Sequence, residues 1–140
     1  MTDSTTTQPV KLGRLITYWT TTVIIAFVMG AGGIADVMRI QPVVEGMKQL
    51  GYPEYVCVIL GVWKVLGCIA ILSPGIPLVK EWAYAGIVFD LTGASASHFA
   101  VGDAPIKVIM PLIFTIICFM SWATRFGGRR LVRASIARAD

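Results

Sequence analysis

Four apolar stretches, near Leu15–Met38, Tyr55–Leu72, Trp82–Ala100 and Pro105–Thr124, take up most of this chain. Crossing the hydrocarbon core of a bilayer, roughly 30 Å, takes about 20 apolar residues in a helix. A backbone with no water to bond must close its own hydrogen bonds, and a helix does so within one segment. The expected fold is therefore an all-α membrane protein, an antiparallel bundle of four transmembrane helices joined by short links. Composition agrees, because 56% hydrophobic residues and a mean hydropathy of +0.74 exceed, and 14% charged residues fall short of, what a water-soluble domain of 140 residues carries. Residues 1–14 read as a disordered cytoplasmic lead, 15–124 as the membrane domain and 125–140 as a basic cytoplasmic tail.

Lys11 and Arg14 precede the first stretch as they would in a signal peptide, but its apolar run is longer than the usual ~7–15 residues. An uncleaved helix is expected. The net charge of +4 lies mainly at the two ends, with Arg125, Arg129, Arg130, Arg133 and Arg138 crowded after the last stretch. By the positive-inside rule both termini face the cytoplasm, and Lys80, placed in the link between the second and third spans, marks the same side. A charge balance distributed in this way reads as topology and not as a nucleic-acid surface; the expected environment is a bacterial inner membrane. In the first loop, Val43, Val44, Met47 and Leu50 recur at helical spacing between Pro42 and Gly51, which predicts a short amphipathic helix lying in the outer interface.

Two charges fall deep within the spans. Lys64 lies about nine residues into the second and Asp90 about nine into the third, so both reach the midplane and are expected to pair. Small residues crowd their faces: Gly61 with Lys64, and Gly86, Gly93 and Ser97 with Asp90. The third span, densest in small residues, is expected at the centre of the bundle. The pair either lines a cavity for a small ligand, a quinone head group or a proton, or fixes helix register as a structural ion pair. His98 and Asp36, near the outer ends of their spans, are expected to meet at a common depth. Trp63, beside Lys64, is the tryptophan placed to touch a ligand, whereas Trp82, Tyr84 and Trp122 suit the interface or lipid-facing packing.

Cys57, Cys68 and Cys118 form no C-x-x-C pair, and the first two are about 16 Å apart along a helix rising ~1.5 Å per residue, too far for a disulfide. With a single histidine and no Cys–His cluster, no metal or haem site is expected.

The segments "VVEGMKQLGYPEY", "ILGVWKVLGCIAIL" and "KEWAYAGIVFDLTGASASHFAVGD" together resemble the DoxX-like family of small bacterial four-helix membrane proteins, from about Tyr18 to Arg125. The resemblance assigns Glu45, Gly51, Tyr52 and Pro53 to an outer-loop motif, Lys64 to a second-helix motif, and Glu81, Trp82, Asp90, His98 and Asp103 to a third. Members often end the first helix in Gly-x-x-Lys; here "GGIAD" puts Asp36 at that place. Relatives look like membrane subunits of quinone-linked or thiol-linked redox complexes. That implies a lipophilic, quinone-like ligand among Lys64, Asp90, His98, Asp36 and Trp63 and a soluble redox partner protein; self-association as a homo-oligomer stays open. Two other readings stay open: a non-enzymatic scaffold or assembly factor, and a small enzyme using Asp, Lys or His as acid and base on a hydrophobic substrate.

Overall fold

The computed structural model describes residues 11–126. They form five helices: α1 (Leu12–Val37), α2 (Gln41–Gln49), α3 (Glu54–Leu72), α4 (Pro77–Ala100) and α5 (Pro105–Thr124). Helix starts follow proline chemistry, with Pro in the first turn of α2, α4 and α5, where its missing N–H costs nothing. α1 starts three residues before the apolar run suggests, so Arg14 is helical. The lead over residues 1–10 and the tail arginines from Arg129 onward lie outside the described residues.

α1, α3 and α5 are long and apolar enough to cross a membrane. α4 has the length, at 24 residues, but carries Asp90, Thr92, Ser95, Ser97 and His98. α1 packs on α3 and α5, and α4 packs on the same two helices from the other side, while α2 rests on α3 and α1. The core is built from Ile25, Ala26, Met29, Ile71, Tyr84, Ile87, Leu91 and Cys118. Large apolar side chains such as Phe27, Trp63, Phe89, Phe99 and Ile116 point outward. A water-soluble monomer seldom exposes so much contiguous apolar surface.

The expected short amphipathic helix is α2, with Val44 buried against the bundle and Val43, Met47 and Leu50 half-buried.

The small residues of α4 do not put it at the centre. A Cβ added at Gly86 or Gly93 would meet nothing within 4 Å. The inward face of α4 is taken by Tyr84, Ile87, Leu91 and Ser95 at helical spacing, which turns Gly86 and Gly93 away from the core. The closest approach joins α1 and α3 instead. A Cβ on Gly33 would lie 2.9 Å from the Gly61 carbonyl oxygen, and one on Gly61 would lie 2.7 Å from that of Gly33. Two bare backbones in contact are what brings the first charged residue of the site into place.

Candidate functional site

Lys64 reaches from α3 to two carboxylates. Its Nζ donates to Asp36 Oδ2 of α1 at 2.9 Å and lies 3.6 Å from Asp90 Oδ2 of α4. The Gly33–Gly61 contact explains the first partner: one helical turn beyond Gly33, Asp36 Cβ lies against Gly61, one turn before Lys64.

That register corrects the expected Asp36–His98 contact. Asp36, at the end of α1, is level with Gly61, and α3 continues outward for seven more residues to Glu54, about 10 Å at ~1.5 Å per residue. α1 therefore stops well below the outer ends of its neighbours, and Asp36 is buried against Lys64. His98 finds a different carboxylate, its Nδ1 lying 2.7 Å from Asp103 Oδ2 across the Gly102 turn.

Asp103 is the hub of an outer cluster. It also accepts from Lys107 Nζ at 3.1 Å and from Gln49 Nε2 at the end of α2 at 2.9 Å, while Tyr52 and Ser97 share a 2.8 Å hydroxyl hydrogen bond. Two latches thus tie the α2–α3 segment to the top of α4. The hydrogen bond with His98, then that from Lys107, hold the Asp103 carboxyl below the ordinary carboxylate range. A depressed native value adds stability above the unfolded-chain value, and that contribution disappears as pH falls through the native value. Thermal unfolding in detergent should show the wild-type advantage over Asp103→Asn at neutral pH and its loss in acid; an advantage independent of pH would remove the carboxylate from the latch.

Between α3 and α4 runs a half-open groove of ≈ 500 Å³. Trp63, Trp82 and Phe89 stand exposed along it, Gly86 leaves it room, and Lys64 and Asp90 supply its polar floor. A mostly apolar cleft with a few convergent polar groups is the usual form of a small-molecule site. Of the residues the sequence singles out, the structure brings Lys64, Asp90, Trp63 and Trp82 to this groove, and Asp36 stands behind it, bonded to Lys64. His98 and Asp103 belong to the outer cluster with Tyr52, beside Gly51 and Pro53. Glu45 is exposed on α2.

Glu81 lies at the opposite end. It pairs with Arg125 at 2.7 Å and accepts from Trp122 Nε1 at 2.7 Å, and the Arg125 guanidinium lies 4.9 Å from the Tyr84 ring centroid. Tyr84 is buried, not interfacial: its hydroxyl meets Ser121 Oγ at 2.7 Å, which meets Thr22 Oγ1 at 2.7 Å. Lys80 is likewise no link residue. It is fully buried in the first turn of α4, donating to the carbonyls of Ala70 and Ile71 at 2.7 and 2.8 Å. Those carbonyls lie in the last turn of α3, where acceptors lack helical partners and the helix dipole favours a cation. Arg14 closes the same end, donating to the carbonyls of Thr124 and Arg125. Sequence reasoning missed this cluster because hydroxyls are unremarkable in apolar helices. The signal for Lys80 was Pro77, a helix start that places it in a first turn.

Among the described residues no group of three His, Cys, Asp or Glu could hold a metal ion, and the three cysteines are free thiols. A family model described as the DoxX-like family matches residues 20–121, a span that holds both the groove and the outer cluster. Neither a curated protein nor a solved structure matches the chain.

Proposed function

This chain belongs to the DoxX-like family, and from that premise we propose that it is an integral membrane subunit whose α3–α4 groove takes a lipophilic, quinone-like ligand entering sideways from the bilayer. The four long helices would cross the membrane as an antiparallel bundle, α4 turning its polar face inward where its neighbours shield it. Lys11, Arg14 and the tail arginines favour a cytoplasmic position for both termini in a bacterial inner membrane. Redox or thiol chemistry would come from a partner protein, since the chain itself offers a binding site and proton-bearing groups.

The observation that carries this reading is the junction of apolar wall and charged floor. Trp63, Trp82 and Phe89 suit a hydrocarbon or isoprenoid tail, while Lys64 can donate to a carbonyl and Asp90 can accept from a hydroxyl. A 2.9 Å Lys64–Asp36 bond also suits the scaffold reading, in which the charges only fix helix register. Gly86→Phe separates the two, because it fills the groove without removing a charged residue and meets no neighbour at its Cβ. With the full chain in lipid nanodiscs, binding of a short-tailed quinone should weaken about tenfold or more, ~1.4 kcal/mol per decade. Unchanged binding, or none in the wild type, would favour the scaffold.

A further inference from the structure

The charges at the middle of this bundle do not balance. Past Arg14, α1 contributes only Asp36; α3 contributes Lys64, with Glu54 at its outer end paired to Arg39; α4 contributes Asp90 between Glu81 and His98. α5 carries no charged residue between Lys107 and Arg125. The thiol of Cys57, on α3, is the other titratable group facing Asp36 and Lys64. One ammonium therefore stands between two carboxylates, and an unmatched charge in such a place costs several kcal/mol on most scales, roughly 2.5–3.5 even on the mildest. Two like carboxylates sharing one site commonly resolve this by keeping a proton between them.

We propose that the Asp36–Lys64–Asp90 cluster is a proton-binding site that holds one proton, carried by Asp90. The two carboxyls are not equivalent. Asp36 makes the direct 2.9 Å hydrogen bond to the ammonium, whereas Asp90 stands at 3.6 Å, beyond hydrogen-bonding distance, and lines the groove. Asp36 is the counter-ion that positions Lys64; Asp90 is the exchangeable carboxyl open to whatever enters between α3 and α4. On the quinone-like reading of the groove, Asp90 then offers an O–H to a carbonyl head group.

Charge balance fixes how many protons each variant holds. Infrared spectra of the full chain in nanodiscs near neutral pH should show one protonated-carboxyl C=O band in the wild type. Asp36→Asn and Asp90→Asn should each abolish it, because either leaves one carboxylate matched to one ammonium. Lys64→Met should show two such carboxyls. A wild type without the band, or an Asp36→Asn protein that keeps it, would overturn the proposal. The two near-isosteric Asn variants decide the matter even if Lys64→Met fails to fold. The band needs no ligand, so its presence in a protein that binds no quinone would refute the quinone reading and leave the proton site standing.

Discussion

Gly61→Ala should destabilise the folded protein by about 1–3 kcal/mol, the usual cost of forcing extra volume into a packed interface. A Cβ there would sit 2.7 Å from the Gly33 carbonyl oxygen, 2.8 Å from Asp36 Cβ and 2.8 Å from the Val37 nitrogen. Two of those three atoms are backbone, so no rotamer change relieves the clash and α1 must move off α3. That movement also lengthens the Asp36–Lys64 hydrogen bond, which depends on the same close approach. Gly33→Ala should behave similarly, its Cβ facing the Gly61 oxygen and Lys64 Cβ, both at 2.9 Å. Gly86→Ala and Gly93→Ala are the controls. They meet open space and should be neutral or gain up to about 1 kcal/mol of helix propensity. Reversible unfolding in mixed micelles measures all four, and a Gly61→Ala protein as stable as Gly93→Ala would mean the glycine contact is not the axis of the fold.

The second large effect belongs to Lys64. Replacing it with methionine removes the one cation between Asp36 and Asp90, and breaking one partner of a buried ion pair costs about 3–5 kcal/mol. The double variant Lys64→Met with Asp90→Asn should recover only part of this, since Asp36 remains without its hydrogen-bond donor. Only the triple variant with Asp36→Asn, which neutralises the whole cluster, should return most of the lost stability. The defect of the single variant should also shrink in acid, because the two carboxyls it keeps protonated when folded are then protonated in the unfolded chain as well. Unfolding free energies across the series are the measurement. A triple variant no better than the single would show that the charges are not mutually compensating.

The resemblance in the sequence led to the family, and hydropathy led to the helices; these were legible because they are local or cumulative properties. A run of apolar residues needs a helix wherever water is scarce, Pro42, Pro77 and Pro105 open helices by fixed backbone angle, and the spacing of Val43, Val44, Met47 and Leu50 gives α2 its buried side. Depth along a helix is local too, at a constant rise per residue, and Lys64 and Asp90 could be set at one level by counting from their helix ends. Partner choice is different, because it depends on how helices slide and rotate against one another. Gly33 and Gly61 set the offset of α1 on α3, and that offset, not the distance of Asp36 from its helix end, gave Asp36 to Lys64 and left His98 to Asp103. Rotation of α4 decided that Tyr84 is buried and Gly86 open, although both lie in one apolar span. The carbonyls at the end of α3 claimed Lys80, a residue whose charge alone suggested a link. In each case the sequence by itself determined what a residue needs, a counter-charge, an acceptor or a close neighbour, and only tertiary packing decided which residue supplies it.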